Sequence, residues 1–304
     1  MTALSLYCSK YTATFTQRVR AIATMTTLHL GSRLELSDGN GIPVLGFGTY
    51  ELDGADAYNA VTWALETGYR HIDSAEWYEN EKECGQAILD FCCKAEVPRS
   101  NVFFTTKLKM NRGYAQTKKA IQRSLDACGL GYIDLYLIHG PLGGPQARKD
   151  SWRAICDAQK EGHLKSIGIS TFGIRHIQDL LDEGLPVPTV HQIDLHPFQV
   201  RSDIVAFCKK HNMALEAWAP LVRGLRFDHP VIKSLARKYQ KEPAQVLLRY
   251  SLQKGYVPLP KSSSKTRILS NTDVFNFDLT DDEINSLDGL DEGLVTDWDP
   301  TTCP

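Results

Sequence analysis

The chain has 304 residues and a formal net charge of −2, and 42% of its residues are hydrophobic and 23% are charged. This composition is typical of a globular protein with a core, and the balance of charge gives no reason to expect nucleic acid or a membrane as a partner. No apolar run approaches the roughly 18 residues that a membrane-spanning helix needs.

The eight cysteines include no Cys-x-x-Cys pair, which predicts reduced thiols in a reducing compartment such as the cytoplasm. The nine histidines include no His-x-x-x-His pair. His191 and His196 are an odd number of positions apart in sequence, which places them on opposite faces of a strand. The sequence therefore predicts no metal site.

Residues 1–28 form an N-terminal extension that differs from the rest of the chain. Basic residues lie among many threonines and serines, and the first acidic residue is Glu35. The pattern resembles an organellar transit peptide, which would make the protein mitochondrial. We favour two other interpretations, an unstructured tail or an over-long start with Met25 as the true initiator.

From Arg33 onward, the chain predicts a regular series of elements. Arg33–Leu36 and Ile42–Leu45 flank a turn-forming segment, which predicts a short hairpin. Apolar strand-like runs then alternate with amphipathic helical stretches. We predict strands ending near Thr49, Asp73, Lys107, His139, Thr171, Asp194, Ala217 and Leu259. We predict helices over Ala55–Glu66, Glu79–Lys94, Tyr114–Ala127, Trp152–Gly162, Ile174–Glu183, Ser202–His211, Pro230–Gln240 and Pro243–Gln253.

Eight strands that alternate with helices predict a parallel sheet covered by helices, and eight is the number that closes into a (β/α)8 TIM barrel. An open doubly wound sheet is the alternative. Its dinucleotide fingerprint is incomplete here, because the nearest segment, Gly46–Glu51, lacks the third glycine. No Pro/Gly/Ser-rich linker divides the chain, so we expect residues 29–304 to form a single barrel domain.

Three predicted strands end on ionisable residues. Asp73, Lys107 and His139 occupy these ends, and Tyr78 lies in the loop after the first of them. Taken singly, each residue is typical of a turn, a packed ring or a solvated strand end. In a barrel, however, the carboxyl ends of the strands form the active-site face, so together the four residues predict one shared pocket.

The chemistry of these four side chains indicates proton donation to an oxygen. A tyrosine has a reference pKa of about 10, and a lysine ammonium beside it favours the phenolate and lowers that pKa. An aspartate keeps the lysine charged and in place, and a histidine donates a hydrogen bond to a carbonyl oxygen. The set contains no nucleophile, so it suits carbonyl reduction with a hydride from elsewhere.

Four segments resemble motifs of the aldo-keto reductase family, and aldose and aldehyde reductases in particular. The longest is GYRHIDSAEWYENEKECG at residues 68–85, in which Glu81 and Gly85 also match. The similarity extends from about Arg33 to about Trp298. The other three segments are Leu135–His139, Ser166–Ser170 and Leu259–Ser262, the last followed by Arg267 and Asn271.

The resemblance implies a (β/α)8 barrel that reduces aldehydes or ketones with NADPH, with a C-terminal tail over the pocket. It implies Tyr78 as the general acid, Lys107 as its charged partner and Asp73 as the counter-ion of the lysine. His139 would orient the substrate carbonyl. These roles agree with the chemistry argued above.

The resemblance also implies the residues that contact the cofactor. The nicotinamide would lie against Ser170, Thr171, Gln192 and Trp218, and Leu221 would also contact the cofactor. Two cations and a hydroxyl at the start of a short helix suit the 2′-phosphate of NADPH, which NADH lacks. These phosphate residues are Lys261, Ser262 and Arg267, and Asn271 would face the adenine.

The chain departs from the family pattern at several positions. Many members have asparagine in place of Thr171, and a tyrosine is common in place of Trp218. Tryptophans that often wall the pocket are replaced by Lys109 and by Gly140. We therefore expect a wider and more polar pocket that accepts sugars or other hydroxylated or anionic carbonyl compounds. Its lining would include Tyr50, Trp77 and Lys109.

Two other classes of function compete with this interpretation. One is a Schiff-base lyase on the same barrel, with Lys107 as a neutral nucleophile. The other is a binding or regulatory subunit without turnover. In every case the expected partner is a small molecule, and we expect a monomer or a weak homodimer.

Overall fold

The computed structural model describes residues 28–304, which form a (β/α)8 barrel. Eight parallel strands lie side by side in chain order. Two backbone hydrogen bonds join the first and last of them, from Gly46 N to Pro258 O at 3.1 Å and from Gly48 N to Pro260 O at 3.0 Å. The sheet therefore closes, and the open-sheet alternative is wrong. The strands are β3 (Phe47–Gly48), β4 (His71–Asp73), β5 (Phe103–Leu108), β6 (Ile133–Ile138), β7 (Leu164–Ser170), β8 (Val190–Asp194), β9 (Ala214–Trp218) and β10 (Val257–Pro258).

Every predicted strand end agrees with the observed one to within one residue. The reason is that these strands are buried and rich in apolar residues, so the end of each apolar-rich run lies close to the end of the strand.

Ten helices accompany the strands within residues 28–304. Helix α4 begins at Pro145, seven residues before the predicted start at Trp152. Proline is favoured in the first turn because its fixed φ suits a helix, and the polar residues that follow conceal the amphipathic period. The helices are α1 (Gly54–Thr67), α2 (Glu81–Lys94), α3 (Tyr114–Cys128), α4 (Pro145–Lys160), α5 (Ile174–Asp182), α6 (Ser202–Lys210), α7 (Pro230–Tyr239), α8 (Pro243–Gln253), α9 (Lys265–Ser270) and α10 (Asp281–Asp288).

Helix α10 was not predicted, although its start has a readable signal. The Thr280 hydroxyl accepts a hydrogen bond from Glu283 N, and the Glu283 carboxylate accepts one from Thr280 N. This reciprocal capping box satisfies two backbone donors that a helix start otherwise leaves unpaired. The helix packs on α7 and α8 through buried Leu287.

The predicted N-terminal hairpin is present and closes the amino-terminal end of the barrel. Strands β1 (Arg33–Glu35) and β2 (Gly41–Pro43) pair antiparallel. Buried Leu36 and Ile42 pack against apolar residues inside the barrel, including Leu135 of β6. Because this end is filled by apolar side chains, the opposite, carboxyl end is left for polar chemistry.

Residues 1–27 of the predicted N-terminal extension lie outside the described residues. Among the helices of residues 28–304, none combines the length and the apolar character needed to cross a membrane.

Candidate active site

A cavity of about 1220 Å³ opens at the carboxyl ends of the strands. Ligand pockets usually have volumes of roughly 300–1,000 Å³, so this one has room for a large ligand and a small one beside it. Its lining includes three of the four catalytic candidates, Asp73, Tyr78 and His139. It also includes all of the cofactor candidates, which are Ser170, Thr171, Gln192, Trp218, Leu221, Lys261, Ser262, Arg267 and Asn271.

Lys107 is fully buried on β5, behind the cavity wall. Its Nζ donates to Asp73 Oδ1 at 2.6 Å, to the Ser74 carbonyl at 2.8 Å and to the Tyr78 hydroxyl at 3.5 Å. An ammonium group has three donors, and all three are therefore used. The arrangement holds the ammonium beside the phenol in one orientation.

The charges in this group are balanced. Burial alone would lower the pKa of Lys107, but the charge of the Asp73 carboxylate, and that of Tyr78 when it is ionised, outweigh burial and raise the pKa above its ordinary value. Burial raises the pKa of Tyr78 to about 12, while the Lys107 ammonium acts in the opposite direction. The expected net lowering of the Tyr78 pKa is not met, because desolvation of the phenolate is the larger effect. Tyr78 is therefore protonated at neutral pH.

His139 follows β6 and lies in a cluster of aromatic rings. Its ring centroid is 5.2 Å from that of Trp77, 5.5 Å from that of Tyr78 and 6.5 Å from that of Trp298. Burial, followed by the Lys107 ammonium, holds the pKa of His139 well below its ordinary value. The imidazole is therefore neutral, with one N–H donor and one acceptor nitrogen.

The pocket wall differs from the prediction at Lys109. Tyr50 and Trp77 line the cavity, but Lys109 does not. The Lys109 backbone N–H donates to Glu76 Oε2 at 3.1 Å, and its Nζ lies 3.8 Å from Glu79 Oε1. This lysine therefore places its charge on a neighbouring loop rather than in the pocket.

Trp298 occupies the space that a side chain at Gly140 would need. A Cβ atom built on Gly140 would lie 2.4 Å from Cη2 of the Trp298 ring. The Trp298 ring packs edge-on against Trp77 with centroids 5.8 Å apart and lines the cavity. A ring from the C-terminal tail therefore occupies the space at Gly140, which the expectation of a wider pocket did not include.

Arginines from two parts of the barrel hold this tail. Arg223, in the loop after β9, pairs with Asp297 at 2.9 Å and lies 3.5 Å from Glu51. Arg201, before α6, pairs with Asp299 at 3.1 Å. These contacts flank Trp298 on both sides along the chain, so they position its ring over the pocket.

The far end of the cavity is positively charged. Lys261 and Arg267 line it, and within residues 28–304 neither has a carboxylate oxygen within 4.0 Å. Arg267 Nε donates to Ser262 Oγ at 3.3 Å, which brings a hydroxyl and a guanidinium together. Two cations without acidic partners beside a hydroxyl fit a phosphate group.

Near the middle of the cavity, Ser170 and Thr171 place two hydroxyl oxygens 3.2 Å apart. Thr171 has a φ of 55°, in the left-handed region that a β-branched residue rarely adopts. Its backbone N–H donates to the Gln192 carbonyl at 2.9 Å, which holds the turn in place. Because the backbone of Thr171 is strained, the surrounding structure must hold it, and the position of the Thr171 hydroxyl is fixed with it.

Sequence reasoning missed Glu216, a fully buried carboxyl group on β9. Gln192 Nε2 donates to Glu216 Oε2 at 3.0 Å and to Asp73 Oδ2 at 2.9 Å. Burial, and next the Asp73 carboxylate, raise the pKa of Glu216 to about 8. The available signal was one acidic residue within the apolar strand, two positions before Trp218 and therefore on the same face.

Similarity to known proteins agrees with this geometry. A profile of the Aldo/keto reductase family matches residues 44–292. An uncharacterized oxidoreductase of Schizosaccharomyces pombe is 43% identical over 276 residues, which are 90% of this chain and 99% of that protein. The crystal structure of an aldo/keto reductase from Brucella melitensis is 38% identical with a TM-score of 0.82, and the match covers 87% of this chain and 99% of the other.

A second solved structure is an aldo-keto reductase of Bombyx mori in complex with NADP. It is 34% identical with a TM-score of 0.84, and the match covers 90% of this chain and 96% of the other. The relatives and the fold define an oxidoreductase. The chain belongs to the aldo/keto reductase family.

The buried acid Glu216 predicts a specific dependence of stability on pH. Because its pKa is raised from 4.5 to about 8 on folding, its contribution to stability is present below pH 4.5 and is lost as the pH rises toward 8. The Glu216→Gln variant cannot ionise, so its free energy of unfolding should rise relative to wild type over this range. The slope should be at most about 1.4 kcal/mol per pH unit.

Urea unfolding of both proteins at a series of pH values measures this difference. A difference that is independent of pH would show that Glu216 is already ionised in the folded protein.

Proposed function

We propose that the protein reduces aldehydes or ketones to alcohols with NADPH, and that Tyr78 donates the proton. The observation that carries this proposal is the Tyr78 hydroxyl, held 3.5 Å from the buried Lys107 ammonium at the wall of a cavity with a cationic far end. When bound, the cofactor would supply a hydride to the carbonyl carbon.

Tyr78 supplies the proton that the carbonyl oxygen takes up as negative charge develops on it. At neutral pH the phenol is protonated and ready to donate, because burial raises its pKa to about 12. After donation the phenolate lies beside the Lys107 ammonium, which Asp73 keeps charged. The ion pair thus stabilises the state that desolvation alone would disfavour.

His139 orients the carbonyl group that Tyr78 protonates. The imidazole is neutral, because burial and the Lys107 charge lower its pKa, so it donates one hydrogen bond without adding a charge. Its ring lies 5.5 Å from the Tyr78 ring, which allows both groups to approach one oxygen. Two donors converging on that oxygen favour the alkoxide over the carbonyl.

The cavity residues fit the parts of NADPH in order along its length. Ser170, Thr171 and Gln192 offer polar atoms to the nicotinamide carboxamide, and Trp218 and Leu221 offer apolar surface to the ring. At the far end, Lys261, Ser262 and Arg267 would bind the 2′-phosphate and Asn271 would face the adenine. Within residues 28–304, neither Lys261 nor Arg267 has a carboxylate oxygen within 4.0 Å, which supports NADPH over NADH.

For the substrate, we propose carbonyl compounds with a flat apolar group rather than sugars. Tyr50, Trp77 and Trp298 provide aromatic walls near Tyr78, and Lys109 lies outside the cavity. An aromatic wall stabilises apolar surface and offers few partners to the hydroxyl groups of a sugar, whose desolvation would be uncompensated.

The geometry disfavours the Schiff-base lyase. Lys107 is fully buried, its three donors are used and its pKa is raised, so its amine cannot act as a neutral nucleophile. A measurement of turnover tests the alternative of a regulatory subunit. That alternative requires that the protein binds NADPH but reduces no carbonyl compound. A location in a reducing compartment and a monomeric or weakly dimeric state stay predictions.

The Tyr78→Phe variant tests the proton donor. We expect its kcat to fall on the order of 10²-fold or more, because proton transfer contributes that much, while NADPH affinity is kept. Steady-state NADPH oxidation and fluorescence titration measure the two quantities. Tyr50→Phe, which removes another hydroxyl from the same cavity, is the matched control and should lower kcat far less. Equal losses in the two variants would contradict the assignment.

The Arg267→Gln variant tests the phosphate site. A hydrogen bond to a charged group contributes about 1.5–3 kcal/mol, so the preference for NADPH over NADH should fall by about tenfold or more. Dissociation constants for both cofactors measure it. Lys265→Gln is the control, because Lys265 is exposed on α9, lies near Glu66 and does not line the cavity. An unchanged preference in Arg267→Gln would reject this residue as a phosphate ligand.

The Trp298→Ala variant tests the substrate proposal. Wild type should have a higher kcat/KM for benzaldehyde than for glyceraldehyde or xylose. Removal of the ring should reduce this preference by about tenfold, because the loss of a buried aromatic contact of roughly 1.5 kcal/mol affects only the flat substrate. A wild-type preference for the sugars would overturn the proposal.

A further inference from the structure

We infer that Glu216 is a positioning residue for the nicotinamide end of the site. Together with Asp73, it fixes the Gln192 amide group so that the carbonyl oxygen Oε1 is presented to the cavity. There Oε1 accepts a hydrogen bond from the N–H of the nicotinamide carboxamide. The inference rests on the proposed function, because it names an interaction with the proposed cofactor.

The hydrogen bonds of Gln192 select one orientation of its amide. Both leave from Nε2, one to Asp73 Oδ2 at 2.9 Å and one to Glu216 Oε2 at 3.0 Å. An amide nitrogen has two hydrogens, so both are used. If the amide were reversed, Oε1 would face the Asp73 carboxylate, and Asp73 Oδ2 would lose this donor, which is costly in a buried site.

Glu216 is needed because Asp73 holds only one of the two amide hydrogens. The other Asp73 oxygen, Oδ1, is occupied by the Lys107 ammonium. In the pairing of strands β8 and β9, Gln192 lies opposite Glu216. The strand register therefore places the Glu216 carboxyl group beside the Gln192 amide. Without Glu216, the second hydrogen would have no partner in this network, and only the hydrogen bond to Asp73 would hold the amide.

The groups that face Glu216 indicate which substitution preserves this role. His71 Nε2 lies 3.6 Å from Glu216 Oε1, and burial lowers the pKa of His71 to about 3, so this neighbour is neutral. The Lys107 ammonium is engaged by Asp73, whose carboxylate also faces the site. Burial and the Asp73 carboxylate raise the pKa of Glu216 to about 8, so it is a neutral acid at pH 7. Glutamine is therefore a close isostere that keeps an acceptor oxygen.

The test compares NADP⁺ with its 3-acetylpyridine analogue, in which a methyl ketone replaces the carboxamide and removes its N–H donors. Binding of each is followed by quenching of tryptophan fluorescence in the full-length protein, without turnover. Wild type should bind NADP⁺ about fivefold more tightly than the analogue, since one neutral hydrogen bond has about that effect. Glu216→Gln should keep the ratio, and Glu216→Met, which has similar length but no oxygen, should reduce it to below about twofold.

A double-mutant cycle separates a role through Gln192 from a general loss of packing. In a Gln192→Leu background, Glu216→Met should cause no further change in the ratio. Circular dichroism verifies folding, and Glu216→Val is the alternative variant if Glu216→Met does not fold.

Three results would overturn the inference. The first is a ratio in Glu216→Met or Glu216→Val equal to that of wild type, and the second is a loss in Glu216→Gln as large as in Glu216→Met. Both contradict the positioning role while NADP⁺ still binds, so they leave the proposed function intact. The third is wild-type fluorescence that NADP⁺ does not quench, which contradicts the proposed function and this inference together.

Discussion

The buried ammonium of Lys107 is the charge around which the carboxyl face of the barrel is organised. A lysine with no exposed surface is costly unless its charge is balanced and its three donors are used. Asp73 balances the charge, and the Ser74 carbonyl and the Tyr78 hydroxyl take the remaining donors. The contacts that offset the cost of burying Lys107 therefore also place its ammonium beside the phenol of Tyr78.

This group extends further into the barrel than the four candidate catalytic residues. Asp73 also accepts from Gln192, and Gln192 donates in turn to Glu216. The Lys107 ammonium thus faces two carboxyl groups, Asp73 and Glu216. Asp73 pairs with the ammonium, whereas Glu216 is neutral at pH 7 because burial raises its pKa to about 8. The network links Tyr78, the proposed proton donor, to Gln192, which is proposed to bind the nicotinamide carboxamide.

Much of the fold and of the candidate site followed from local patterns. Asp73, Lys107 and His139 each end an apolar run, so the sequence revealed both the strand boundary and the residue at the barrel mouth. The same local reasoning failed at Lys109, whose side chain turns toward Glu79, and at Gly140, whose missing ring is replaced by Trp298. It also failed for the Tyr78 pKa, because the sequence indicates which charged residues share one face of the barrel but not how much water burial removes.

By itself, the amino-acid sequence determined the order of strands and helices, the family and the residues that gather at one face. These follow from periodicity and motifs, which are properties of neighbouring positions in the chain. Only the tertiary structure decided that Glu216 lies against Gln192 and that the arginines Arg201 and Arg223 hold the tail so that Trp298 covers the pocket. Those contacts join residues far apart in sequence, and their energies depend on distance and burial, which exist only after the chain has folded.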